Sequence, residues 1–222
     1  MDWTALGVSL KLGFWTIALL MPFGIWFGRL LATRAFRGKL LVEALVTVPL
    51  VLPPTVLGFY LLVTFGARSP LGAAFQSITG QSLTFSFEGL LLASLIANIP
   101  FVVQPIQRSF EAIPADVRDA ASCCGLTPWQ RFARIELPLA WPGVATAAVL
   151  AFAHTLGEFG VVLMVGGNLP GRTRTLSVAI YDRMQAFDDR SAGVMAATLL
   201  VIAVATLTLT TALSRRVSPR RG

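Results

Sequence analysis

Along the chain, long apolar stretches alternate with short polar ones, and five of the apolar stretches approach or exceed the roughly 20 residues that a helix needs to cross a bilayer. They lie at about 9–31, 44–66, 89–107, 141–166 and 193–213. The pattern predicts an all-α integral membrane protein: one transmembrane domain over 1–222 with about five membrane-spanning helices. The polar segment 109–140, between the third and fourth spans, has a helical period of its own. Ile113, Val117, Ala120 or Ala121, and Cys124 recur on one side, while Asp116, Arg118, Asp119 and Ser122 lie mostly elsewhere. Pro114 suits a first helical turn, Asp116 sits near the positive end of the helix, and Gly125 supplies the left-handed residue that stops it. Thr127 and Gln130 form a capping box with Pro128 at the first helical position, and this second helix runs to about Ile135, where Leu137-Pro138 ends it. Two capped helices around a glycine predict a rigid knob presented to another protein; the plainer alternative is an amphipathic connector.

Composition removes the soluble classes. Of 222 residues 55% are hydrophobic and 13% charged, with a mean hydropathy of +0.72. Positive charge then orients the spans. Arg29, Arg34, Arg37 and Lys39 follow the first span, Arg108, Arg118, Arg131 and Arg134 lie in the polar segment, and Arg215, Arg216, Arg220 and Arg221 close the chain. These mark the cytoplasmic side. Lys11, Arg68, Arg172, Arg174, Arg183 and Arg190 fall outside, partly offset by Asp182, Asp188 and Asp189, so the N-terminus is expected outside and the C-terminus inside. The first apolar stretch lacks a basic leader and a small-residue cleavage site and reads as a retained span. The net charge of +7 is a topology signal first and a contact with anionic lipid second. A DNA-reading helix pair is disfavoured, because the basic residues are spread over three loops with no soluble domain around them. Cys123 and Cys124 are adjacent, on the reducing side and without a second pair for a metal cage; they read as small packing residues.

Within the spans, the features that carry chemistry are sparse. Pro22 and Gly24 loosen the first helix, and Gly13, Gly24 and Gly28 thin one side of it for close packing. Glu43 is placed at the inner interface. Pro49, Pro53 and Pro54, followed by Thr55, free backbone carbonyls that lipid cannot satisfy, so the second span is a candidate for the gate or pathway; simple kinked packing is the alternative. The outer segment 67–88 shows a turn at Ser69-Pro70 and no site. Asn98 must bond to a neighbouring helix or face water, the former being commoner. His154 and Glu158, four apart, share a helix face beside Gly157. A bare carboxylate in the path of a divalent anion would repel it, so Glu158 reads better as an acceptor of backbone N–H groups or of another helix than as a ligand. A lone His154 reads better as a bonded packing residue than as a proton relay. Arg172 and Arg174 are either solvated loop charges or a positive outer surface for an anion or a partner protein. The segment Thr175–Phe187 is amphipathic enough to lie along the outer surface.

Two motifs carry a resemblance. Asp119-Ala120-Ala121, Gly125 and Ile135-Glu136-Leu137-Pro138, at these spacings, resemble the "EAA" signature of membrane subunits of bacterial ABC importers, with Asp119 in place of the usual Glu. The resemblance implies a type I importer permease fold. It makes Asp119, Ala120, Ala121, Gly125, Leu126, Ile135, Leu137 and Pro138 the contacts to an ATP-hydrolysing subunit. The run from His154 through Gly157-Glu158-Phe159-Gly160 to Asn168-Leu169-Pro170-Gly171, Thr173, Thr175 and Leu176 is similar to the oxyanion branch of these permeases, closest to molybdate and tungstate permeases. That implies alternating access, a second copy of the chain, two ATPase subunits, a periplasmic or extracellular oxyanion-binding protein, an inner-membrane location and no cofactor or catalysis of the chain's own. A sulfate or thiosulfate permease is the nearer alternative. An integral membrane enzyme is the more remote one, with one histidine and no catalytic or metal cluster to build from.

Overall fold

The computed structural model describes residues 1–217, with side chains described through residue 208. Four helices in it are long and apolar enough to cross a membrane, and a bent pair supplies a fifth crossing if counted as one. Four or five crossings answer to the roughly five expected, and two of the expected spans, 44–66 and 141–166, are broken.

The frame is three long helices, α1 (Trp3–Thr33), α5 (Phe87–Glu111) and α8 (Leu137–Gly157). Asp2 caps α1 by accepting from the Ala5 N–H at 2.9 Å, and Ser86 caps α5 through Gly89. In lipid there is no hydrophobic gain from pressing helices together, so contact comes from close fit between small residues. A Cβ at Gly24 would fall 2.2 Å from Val102 of α5, and one at Gly143 of α8 would fall 2.3 Å from Ser109. The glycine side of α1 is therefore a packing surface. Behind it Leu20, Val102, Ile106, Phe110, Ala140 and Val144 form the largest apolar core.

The predicted span 44–66 is two helices, α2 (Lys39–Val51) and α3 (Pro54–Phe65), meeting at 108°. Pro53 and Pro54 cannot donate to a preceding turn, so α2 ends at Leu52 and α3 starts afresh, with the Val56 and Leu57 N–H groups bonded to the Pro53 carbonyl. The predicted span 141–166 is also interrupted. Its helix α8 stops at Gly157, and α9 (Gly160–Gly166) begins after Glu158-Phe159. The outer segment holds a short helix, α4 (Pro70–Thr79), capped by Ser69. α10 (Leu176–Gln185) is docked rather than laid on the surface: Leu176 and Ala179 are buried with Ala5 and Met195, while Met184 and Phe187 are exposed. α11 (Asp189–Val217) closes the described chain. Among the basic residues assigned to the cytoplasmic side, Arg220 and Arg221 lie outside the described residues, as do the side chains of Arg215 and Arg216.

At one end of the frame, α6 (Ala115–Cys123) and α7 (Pro128–Arg131) form the expected pair. The second helix does not end at Leu137-Pro138. A π turn, Phe132–Glu136, joins α7 to α8, and Pro138 sits in the first turn of α8. Pro138 has no N–H to return to the turn before it, so the bond it lacks falls where the π turn passes into α8, and the helix carries on through it.

Candidate functional site

The elbow is built by local sequence. α6 ends as Gly125 adopts φ +74°, with the Leu126 N–H returning to the Ala121 carbonyl, and Thr127 and Gln130 exchange both bonds of the capping box. Asp119 and Ala120 are exposed, and Asp119 makes no ion pair among the described residues. Ala121 is 4% exposed and turns with Ile113 toward the protein's own core, so it supports the elbow from beneath. Leu126, Ile135 and Leu137 are half-buried and Pro138 is exposed. The residues singled out are thus split between an outward face (Asp119, Ala120, Gly125, Pro138) and a supporting one. Cys123 and Cys124 are exposed and do not pack, because α6 buries only one side.

Beneath the elbow lies the residue that sequence reasoning passed over. Glu136 is fully buried, and arginines from three elements surround its carboxylate. Arg29 of α1 donates to Oε2 at 2.6 Å, while Arg131 and Arg118 stand 3.3 and 3.6 Å from Oε1. Arg29 also lies over the Phe132 ring, Arg118 donates to the Phe110 carbonyl, and Arg131 donates to the Ser122 hydroxyl. The one available signal was a charged residue set inside the apolar run Ile135-Glu136-Leu137.

At mid-depth the two broken spans meet. The starts of α3 and α9 are in contact: a Cβ on Gly160 would fall 2.8 Å from Pro54 Cβ and 3.1 Å from the Thr55 nitrogen. Beside them is a cavity of about 490 Å³ lined by Pro54, Thr55, His154, Gly157, Glu158, Phe159 and Gly160. Of the predicted pathway residues, Pro54, Gly157 and Glu158 share this wall. Pro53 sits just before it, and Asn98 is buried behind it. Asn98 bonds across to a neighbouring helix: its amide donates to Thr155 of α8 at 3.0 Å and to the Ser94 carbonyl, and its oxygen lies 3.2 Å from His154 Nδ1. His154 stacks on Phe101 and places Nε2 3.3 Å from Glu158 Oε2. Glu158 accepts from the Val161 N–H at 3.0 Å, capping α9, and its own carbonyl, freed by the break, accepts from the Ser177 hydroxyl. Two of the backbone groups at the break, the Val161 N–H and the Glu158 carbonyl, thus find side-chain partners inside the protein, as a membrane interior favours. Both carboxylate oxygens of Glu158 are engaged. Ser94, which extends the network to Thr16 of α1, and Ser177 gave no sequence signal.

Near the start of α1, Arg174 is bound within the chain. It donates to Asn168 at 2.5 Å and stands 3.6 and 3.9 Å from Asp182 and Asp2. Arg172 is exposed and has no side-chain partner among the described residues.

Against known proteins, residues 21–221 match the family model described as "Binding-protein-dependent transport system inner membrane component". The chain is 48% identical over 187 residues to the Molybdenum transport system permease protein ModB of Azotobacter vinelandii, covering 84% of this chain and 83% of that one. It is 37% identical over 204 residues to the protein of the same name from Escherichia coli strain K12, with 92% and 88% covered. Among solved structures, the fold is similar to a chain of a bacterial alginate ABC transporter (TM-score 0.77, 18% identity, 96% and 78% covered). It is likewise similar to a chain of the MetNI methionine ABC transporter in an inward-facing conformation (TM-score 0.72, 18% identity, 98% and 94% covered).

Proposed function

Since this chain belongs to the binding-protein-dependent transport system inner membrane component family, we propose that it is the permease subunit of an ABC importer that brings an oxyanion, molybdate, into the cytoplasm. It is a multi-pass inner-membrane protein with the type I importer fold. It performs no chemistry on its cargo, and ATP hydrolysis belongs to a separate subunit.

The observation that carries the reading is the elbow. A glycine-hinged, doubly capped helix pair stands at one end of an apolar bundle, with an exposed face and a buried attachment to α1 and α8. Such a part suits a surface pushed by a partner. In this reading each of two ATPase subunits seats one elbow. Their ATP-driven approach rocks two copies of the permease between inward-open and outward-open forms. The second copy pairs across a twofold axis, since five crossings from a single chain scarcely enclose a pathway. The N-terminus faces outward and the elbow inward, as the basic residues require. The cavity at the broken helices lines the route. Its histidine and carboxylate hold one another, which leaves the route without a strong anion ligand, so cargo selection rests with the external binding protein. Arg172, unpaired and outermost, meets that protein, while Arg174 braces the outer loop. The preference for molybdate over sulfate is supported by the relatives named above and by the Asn168–Leu176 run that the chain shares with molybdate permeases.

The test is to co-purify the permease with its ATPase, reconstitute both in vesicles, and add binding protein loaded with molybdate, tungstate or sulfate. Molybdate-loaded protein is expected to stimulate ATP hydrolysis and drive uptake. Stimulation by sulfate-loaded protein alone would move the cargo to sulfate, and a failure of all three would overturn the importer reading.

A further inference from the structure

Resting on that permease reading, the geometry points to Glu136 as a positioning residue, which ties the elbow to the first membrane helix and passes the elbow's displacement into the bundle.

The first ground is the turn that presents it. Through Phe132–Glu136 the backbone bonds shift from i→i+4 to i→i+5, with the Leu137 N–H closing on the Phe132 carbonyl. One added residue rotates the helix beyond it by about 100° relative to the helix before it. That shift lets α7 follow the elbow while α8 follows the core, and it leaves Glu136 facing inward at the junction. Single π turns of this kind cost hydrogen-bond quality and tend to sit where function needs them.

The second ground is the asymmetry of the carboxylate's contacts. Oε2 makes a short charged hydrogen bond to Arg29 of α1, 107 residues away in sequence. Oε1 is shared loosely between Arg118 of α6 and Arg131 of α7, and Oε1 and both arginine Nε atoms are buried without a hydrogen bond. Buried polar groups in native structures are nearly always satisfied, so three unsatisfied atoms facing one another mark a contact with room left to close. Arg131 already stands within hydrogen-bond length of Oε1 and Arg118 just beyond it, so a small reorientation of α6 and α7 would turn both contacts into charged hydrogen bonds. In this form the carboxylate grips α1 and holds the elbow slackly. Pressure on the elbow takes up the slack, and from then on α1 must follow.

The third ground is charge. Three guanidiniums surround one carboxylate, so removing the carboxylate leaves three like charges converging on a buried point. Glu136 is thus the only counter-charge that the cluster holds among the described residues.

The experiment uses the whole reconstituted complex and reads molybdate taken up per ATP hydrolysed, alongside thermal unfolding. Glu136→Gln removes the charge with little change in shape. Arg29→Gln cuts only the tie to α1 and leaves Glu136 paired with Arg118 and Arg131, so it serves where the first variant fails to assemble. Arg134→Gln removes an exposed positive charge from the same π turn as a control. Both Glu136→Gln and Arg29→Gln are expected to lower uptake per ATP by about tenfold, the control leaving the ratio unchanged. The double variant is expected to lose little beyond either single one, since the two groups act as one unit. An unchanged ratio in Arg29→Gln, or an equal fall in Arg134→Gln, would overturn the tie while leaving the importer intact. If the unmodified complex takes up no oxyanion, the permease reading fails instead.

Discussion

At Phe132–Glu136 the fourth membrane-crossing segment takes a five-residue π turn and carries on; at Glu158-Phe159 the same segment stops, and a new helix begins. A buried glutamate stands at each interruption. Glu136 is surrounded by three arginines, whereas Glu158 is served by a backbone N–H and by His154, itself held by Asn98. The difference follows depth and task. At the end of the bundle arginines can keep their stems in apolar surroundings and their heads close to water, so charge can be concentrated there. Within the membrane-spanning segments an arginine cluster would be costly. The chain meets the same need, satisfying a helix interruption in lipid, with arginines at one end and with a backbone N–H and a histidine at the other. The first arrangement ties the elbow to α1 through charge. The second leaves α3 and α9 joined mainly by close packing.

That contrast can be broken most severely at Gly160, where an added side chain has no room. Gly160→Val would drive a branched Cβ into Pro54 and is expected to cost about 3 kcal/mol or more, abolishing uptake and lowering the unfolding temperature in detergent. Normal stability in that variant would mean that the two broken helices do not meet as described. A middle-sized effect is expected at Gly125, whose Cβ would meet open space but whose φ of +74° a β-branched residue tolerates poorly. Gly125→Val should cost about 1–2 kcal/mol locally, leave membrane insertion intact and uncouple ATP hydrolysis from uptake. Full uptake in vesicles would remove the hinge from the elbow. The smallest effect sharpens the comparison. Glu158→Gln keeps an oxygen for the Val161 N–H and should change stability by less than about 1 kcal/mol and uptake by less than about threefold. A tenfold change in the uptake constant for molybdate would show that the charge acts on the cargo and that Glu158 is more than a cap.

Much of this was legible in the residues. The apolar stretches set the membrane class and the number of crossings, because about 20 apolar residues in a row have few other uses. Gly125, Thr127 and Gln130 wrote the elbow, since caps and left-handed turns act over three or four residues. The breaks were announced only in part. Pro53 and Pro54 signalled the first, but nothing around Glu158 separates a helix end from a helix that continues. Leu137-Pro138 looked like a stop, yet the helix runs through it, because a π turn just before the proline takes up the bond that its missing N–H leaves out.

What the sequence determined by itself is what short-range backbone and solvent preferences determine: which segments are apolar enough to enter lipid, and where the polar elbow begins and turns. Which side chains hold the assembly together was decided only in three dimensions. The Arg29–Glu136 bond, the Asn98–Thr155 bond and the Ser177 bond to the Glu158 carbonyl span 107, 57 and 19 residues. No local pattern encodes such pairs. They exist because the bundle, once its glycine surfaces are pressed together, leaves each buried polar group a single place to find its partner.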